Sequence, residues 1–136
     1  MMSYATPSEL RARLGATIFA EIYPEETDAS PDLESSAAEI DGAIASRYRL
    51  PVTGERSLAL LRDWTLTLTE ERAYARAAGS TFAEKVKERV AQVRKYLELI
   101  RTGGFKFPDA EERNEGSVAF ATVREPVFGR ENMKGF

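Results

Sequence analysis

Apolar residues recur every three or four positions over most of the first hundred residues, a period that predicts helices rather than strands. The clearest stripe follows Ser30 and Pro31, a pair typical of a helix N-terminus. A residue that precedes proline is driven out of the helical region, so Leu50-Pro51 marks where the helix must stop. We therefore expect one helix that starts at Pro31 and carries on its buried face Leu33, Ala37, Ile40, Ile44 and Tyr48.

Two shorter helices are predicted before this one. Thr6 and Glu9 have the spacing of a capping box, and the proline between them suits the first helical position. Gly15 is a typical helix end. A second helix is expected over residues 16–23, ended by Pro24. An acidic connector then leads to the helix that starts at Pro31.

Two longer helices are predicted after the central proline. The first spans about residues 55–78, places Trp64 on its apolar stripe and ends at Gly79. The Thr-Leu alternation over residues 65–69 is typical of a strand when taken alone, but the flanking stretches have the helical period. A second capping-box pattern opens the helix over residues 81–102. The sequence thus predicts an all-α protein, a small bundle of about five helices.

The last part of the chain has a different character. After Gly103-Gly104 it carries a charged run and then residues 117–123, which read as a short strand or hairpin. We divide the chain into a helical domain, residues 1–104, and an extended C-terminal arm, residues 105–136. The arm holds five of the seven phenylalanines, namely Phe105, Phe107, Phe120, Phe128 and Phe136.

So many aromatic side chains are unusual in a solvated tail. We expect the arm to bury them against another molecule, by strand addition or by insertion into grooves. The side chains predicted to dock are Phe120, Val123, Phe128 and Phe136. The alternative is that the arm folds back over the Trp64 side of its own helices.

Composition narrows the possible chemistry. The 136 residues are 43% hydrophobic and 30% charged, with a net charge of −3, which is a soluble globular balance without the basic excess of a dedicated nucleic-acid binder. Cysteine and histidine are absent, which excludes disulfides, thiolate nucleophiles, zinc fingers and imidazole bases. No apolar run is long enough to span a membrane, and the first residues lack a signal-peptide pattern. We expect a cytoplasmic protein without a cofactor.

The remaining candidates for chemistry are carboxylates. Asp28, Ser30, Asp32 and Glu39 have the spacing of a calcium loop, but Leu33 occupies the position that requires glycine. Acidic residues at the positive end of a helix dipole are the preferred interpretation. We therefore predict neither a catalytic nor a metal site.

Two other charged groups have ordinary structural explanations. Glu70 and Glu71 are adjacent on a helix, so their side chains diverge, and both are expected on a solvated face. The last helix carries more Lys and Arg than acids, which favours solvation and ion pairs, with a contact to passing DNA as the lesser alternative. Tyr48 is expected to be a core ring with its hydroxyl at the surface, flanked by Arg47 and Arg49.

Four stretches of the chain resemble the Mu-like phage and prophage head–tail joining proteins. They are residues 4–10 (YATPSEL), 38–51 (AEIDGAIASRYRLP), 86–103 with its VKER, YL and final Gly, and 127–136 (VFGRENMKGF). The second is the most distinctive, and its motif positions, expected to be structural, are Ile40, Asp41, Arg47, Tyr48, Leu50 and Pro51. Two departures are the connector at 24–28 (PEETD), which the family usually makes rich in Asp and Gly, and residues 61–66, which match loosely.

The resemblance implies a non-enzymatic virion protein. Such connectors stack as a ring, commonly of twelve subunits, beneath the portal protein and join the filled head to the tail. The implied partners are further copies of the chain, the portal protein and a tail-side completion protein, with non-specific contact to DNA in the channel and no membrane. The implied location is the host cytoplasm during assembly and then the head–tail junction of the virion.

Two rival functions remain open from the residues alone. A small helical adaptor of bacterial regulation would use the same arm to recognise a soluble protein. An enzyme that uses carboxylates and a divalent ion is the least favoured.

Overall fold

The computed structural model of the chain describes residues 3–77 and 82–113. In these ranges it contains five α-helices, a single turn of 3₁₀ helix between the second and third, and no strand longer than an isolated bridge. The predicted all-α fold is confirmed. The helices are α1 Pro7–Leu14, α2 Ala16–Ile22, α3 Ser30–Ile44, α4 Glu55–Arg76 and α5 Phe82–Thr102, and the 3₁₀ turn is Glu26–Ala29.

The core lies where α3, α4 and α5 pack against one another, with α1 and α2 added on the side of α4. The fully buried aliphatic side chains come from every large helix, and Trp64 is 4% exposed, as predicted. Each such side chain contributes about 1.5–3 kcal/mol when removed from water. The most completely buried are Leu10, Leu33, Ile40, Ile44, Leu61, Leu68, Val86 and Ile100.

The start of α1 confirms the predicted capping box. The Glu9 N–H donates to Thr6 Oγ1 at 3.2 Å, and the Thr6 N–H donates to Glu9 Oε1 at 2.9 Å. Gly15 ends the helix with φ +93°, a conformation that favours glycine. The capping pattern predicted at Thr81 lies outside the described residues.

The end of α3 corrects one prediction. The helix stops at Ile44 and not beyond Tyr48, because the chain turns away to meet residues 111–113. Tyr48 forms an isolated antiparallel bridge with Glu112, flanked by an Arg49 N–H to Glu111 O bond of 2.9 Å. Tyr48 is still buried, so the apolar spacing identified the right residue for the core but not its backbone conformation.

The first residues of the predicted arm fold back on the helices. Phe107 is 6% exposed, and its ring lies 4.9 Å from Tyr48 and 5.7 Å from Trp64. Phe105 packs against Tyr96 at a ring separation of 5.3 Å. For residues 105–113 the alternative of packing over the Trp64 side is therefore the one observed. The predicted strand at 117–123 lies outside the described residues.

The Tyr48 hydroxyl also differs from its predicted surface position. It accepts a buried hydrogen bond of 2.8 Å from the Phe107 N–H. The hydroxyl thus satisfies a backbone donor of the returning segment, which would otherwise be buried without a partner. Tyr48 joins the end of α3 to the residues that follow α5.

Asp109 caps α4 from more than fifty residues away. Gly54, the N-cap residue, has no side chain, and Asp109 takes its place by accepting the N–H groups of Arg56 and Ser57, both at 2.8 Å. The Ser57 hydroxyl also donates to it. These hydrogen bonds, first that of the Ser57 side chain and then that of the Arg56 backbone, lower the pKa of Asp109. The carboxylate thus faces the positive end of the α4 dipole.

The close approach of Asp109 generates a prediction about two glycines. A Cβ on Gly54 would lie 2.3 Å from the Asp109 carbonyl oxygen, whereas a Cβ on Gly42, inside α3, would meet nothing within 4 Å. We expect Gly54→Ala to lower the free energy of unfolding by about 1–3 kcal/mol, since the cap must move. Gly42→Ala should raise it by about 0.5–1 kcal/mol through helix propensity. Urea denaturation checks both, and equal effects would contradict the capping role of Asp109.

Candidate interaction surface

A cleft of about 530 Å³ lies where the N-terminal residues, α3, the turn after the bridge and the start of α4 meet. We call it the Leu50 cleft. Among the described residues, Leu50 is a large hydrophobic residue that remains 40% exposed. Its lining combines apolar side chains with one carboxylate and one guanidinium. The residues that define it are Tyr4, Asp41, Leu50, Pro51, Leu58 and Arg62.

The N-terminal segment is held at the cleft by a hydrogen bond from the Tyr4 hydroxyl to an Asp41 carboxylate oxygen. Burial and then this bond to Asp41 raise the pKa of Tyr4. On the other side Val52 is 5% exposed and anchors the turn in the core, while the cis Leu50-Pro51 peptide leads into it. The cleft is therefore built from four segments, of which the N-terminal one is distant in sequence from the other three.

Charges of opposite sign line the cleft. Asp41 contributes a carboxylate from α3, and Arg62 contributes a guanidinium from α4. The Arg62 Nε lies 3.4 Å from Glu9 Oε2, but both side chains are exposed, so this ion pair is weak. Apolar and charged groups in one cleft suit a peptide segment that carries side chains of both kinds.

The six motif residues predicted to be structural separate into two groups. Ile40 and Tyr48 lie in the core, and Arg47 donates from Nε to the Arg101 carbonyl oxygen at 3.2 Å. These three hold α3 against the end of α5 and the returning chain. The other three, Asp41, Leu50 and Pro51, line the Leu50 cleft.

The four predicted docking side chains are not placed by the structure. Phe120, Val123, Phe128 and Phe136 lie outside the described residues. Sequence reasoning missed the contribution of Tyr4 and Arg62 to the cleft, since nothing in the local pattern around either residue marks it as facing α3 or the turn.

Glu70 corrects the prediction of a solvated carboxylate pair. It is 3% exposed, and it accepts from Arg13 at 2.7 Å and from Arg89 at 3.2 Å. A buried carboxylate held by two guanidiniums joins α1, α4 and α5. The signal was present in the sequence, because Glu70 stands four residues after Leu66 and four before Tyr74, on a buried face of α4. Glu71, as expected, is partly exposed.

Asp32 forms a second ion pair between helices. Arg76 donates from Nε to its carboxylate at 2.6 Å, and the Tyr23 hydroxyl donates at 2.6 Å. Burial alone would raise the pKa of Asp32, but the bonds from Arg76 and Tyr23 outweigh burial and lower it. The pKa of Tyr23 is raised, by burial and then by the same carboxylate.

The residues with calcium-loop spacing are thus used separately. Asp28 accepts the Glu25 N–H at 3.0 Å within the 3₁₀ turn, whereas Glu39 pairs with Arg94 on α5 at 3.0 Å. Within residues 3–77 and 82–113 no group of three or more acidic side chains is arranged to hold a metal ion. Asp32 and Glu39 connect helices, and Asp28 caps the 3₁₀ turn.

Several cations of α5 are likewise engaged with acids. Arg89 pairs with Glu70, and Arg94 reaches both Glu39 and Glu71. These two arginines are part of the predicted positive excess on α5, and both form ion pairs with acidic residues of α3 or α4. None of the helices in the described ranges is long and apolar enough to cross a bilayer.

Together the fold and its surfaces define a small helical protein whose buried charges clamp its helices and whose Leu50 cleft suits a peptide segment. A family model described as Bacteriophage Mu, Gp36 matches residues 4–122. The chain therefore belongs to this bacteriophage family, as its sequence motifs predicted. No curated protein matches it.

The buried carboxylate of α4 and its exposed neighbour provide a matched test. We expect Glu70→Gln to lower the free energy of unfolding by about 1–3 kcal/mol, because Arg13 and Arg89 lose a buried partner. Glu71→Gln removes only an exposed ion pair and should cost less than about 1 kcal/mol. Chemical denaturation of both variants at neutral pH measures the difference. A loss no larger for Glu70 than for Glu71 would contradict the clamp.

The lowered pKa of Asp32 predicts a dependence of stability on pH. A depressed pKa in the folded state gives stability that is present above the unfolded value of about 3.9 and lost as pH falls through the folded value. We expect the free energy of unfolding to decline from about pH 5 downward, and Asp32→Asn to flatten this decline. Glu34→Gln, an exposed site on the same helix, is the control. Parallel pH profiles for Asp32→Asn and the unchanged chain would refute the assignment.

Proposed function

We propose that this protein is a non-catalytic head–tail connector of a phage or prophage. The observation that carries the proposal is the match to the Mu family over residues 4–122, which spans the helical bundle and continues past Phe120 in the arm. The proposed partners are other copies of the chain in a ring, the portal protein above and a tail-side completion protein below. The proposed site of action is the head–tail junction.

The interior of the bundle suits a structural subunit. Its buried carboxylates, Asp32 and Glu70, are both engaged by arginines from other helices. Charges used in this way add directional constraints between helices. A ring subunit under load from packaged DNA benefits from such constraints.

The arm is proposed to make the partner contacts through Phe120, Val123, Phe128 and Phe136. Ordering a chain costs about 1–2 kcal/mol per residue. Burying one large apolar side chain contributes about 1.5–3 kcal/mol of favourable free energy. Four side chains cannot offset the ordering of the whole arm, so docking needs backbone hydrogen bonds as well, or many subunits acting together. A ring supplies that multiplicity.

The test uses full-length protein and the portal protein of the same phage. We expect electron micrographs of the mixture to show rings seated on the portal. Substitution of all four docking residues by Ser should abolish binding in sedimentation, because the apolar contacts are lost. Glu34→Ser with Gln92→Ser, at exposed helical positions, serves as the control and should bind normally.

Two results would refute the proposal. One is a protein that stays monomeric and unbound beside intact portal. The other is unchanged portal binding by the four-residue variant, which would remove the arm from the contact.

A further inference from the structure

We propose that the Leu50 cleft is the docking site for the chain's own residues 114–136 in the free subunit. This inference takes over the arm assigned in the proposed function but does not require a connector role. Its occupant is one segment of the same molecule. Three observations support it.

The first observation is the apolar wall of the cleft. Leu50 is 40% exposed, and it stands beside Pro51 and the half-buried Leu58. Apolar surface collected in one concave site, with polar groups at its rim, is typical of a binding site rather than of ordinary protein surface. Covering Leu50 and Pro51 would complete the core around Val52.

The second observation is where the described chain ends. The Arg113 N–H donates to the Arg47 carbonyl oxygen at 2.9 Å, and its guanidinium donates to the Ala45 carbonyl oxygen at 2.8 Å. Ala45 is one helical turn from Asp41, to whose carbonyl oxygen its N–H is bonded. Arg113 and Leu50 also line one shared depression. The described chain therefore ends beside the cleft.

The third observation is the length of the remaining chain. Residues 114–136 can span at most about 3.3–3.6 Å per residue, and Arg113 lines a depression together with Leu50, so this stretch is long enough to reach the cleft. A tether this short gives an effective concentration in the millimolar range. At micromolar protein the chain's own segment therefore outcompetes the same segment of a second copy.

The structure thus assigns two successive sites to the same aromatic residues. In the free subunit they cover the Leu50 cleft, and partner binding requires that they leave it. Exchange of the segment between neighbouring subunits would use the same contacts in trans.

Photo-crosslinking tests this assignment in the full-length chain. Phe128→p-benzoylphenylalanine keeps an aromatic side chain and reacts with whatever lies next to it. An equal mixture of ¹⁴N- and ¹⁵N-labelled protein is irradiated at low micromolar concentration, and crosslinked peptides are identified by mass spectrometry. We expect same-isotope crosslinks to peptides that contain Leu50, Leu58 or Tyr4.

Variants of the cleft sharpen the test. Leu50→Asp changes an exposed position, so the fold should persist while the crosslink is lost; Gln92→Asp, exposed on α5, should leave it intact. Circular dichroism confirms folding of each variant.

Three outcomes would overturn the inference. Mixed-isotope crosslinks alone would assign the cleft to a second copy, crosslinks to another surface would place the arm elsewhere, and no crosslink would leave the cleft without this occupant. Cleft crosslinks in a protein that fails to bind portal would support this inference while refuting the connector.

Discussion

The structure depends on how α4 is buried. This helix contacts α3 and α5 along its length and α1 and α2 on a further side, yet it carries polar residues on the surfaces it buries. Buried polar groups need partners, so the surrounding helices must supply them. Arg13 and Arg89 meet Glu70, and the Thr69 hydroxyl lies 2.9 Å from that of Ser36. These contacts select the neighbours of α4 and their relative positions, which apolar packing alone would leave less specific.

The same constraint acts at the start of α4, where the helix needs acceptors for its first N–H groups. Asp109 supplies them and so draws the segment after α5 across the bundle. Phe107 of this segment packs its ring against Tyr48 and Trp64. The return of the chain leaves Arg113 beside the end of α3, next to the Leu50 cleft. Capping, core closure and the placement of the arm are therefore linked.

Sequence reasoning succeeded where the signal is local and failed where a partner is distant. The capping box of α1 and the helix at 65–69, despite its strand-like alternation, were both predictable. Tyr48 was correctly placed in the core but wrongly in a helix, because its backbone is set by Glu112 across a bridge. Glu70 was wrongly placed in solvent. Its spacing puts it on a buried face of α4, but its burial depends on Arg13 and Arg89 from two other helices, and the sequence does not show that they meet it.

The class of fold, the approximate bounds of the helices and the family can be inferred from the amino-acid sequence, since periodicity, caps and short motifs are properties of neighbouring residues. Which charges are buried, what caps α4 and how the motif around Asp41 and Leu50 comes to line a cleft depend on the three-dimensional packing. Those features join residues some tens of positions apart. Their energies come from desolvation and pairing in three dimensions, and no local pattern along the chain encodes which partner will be met.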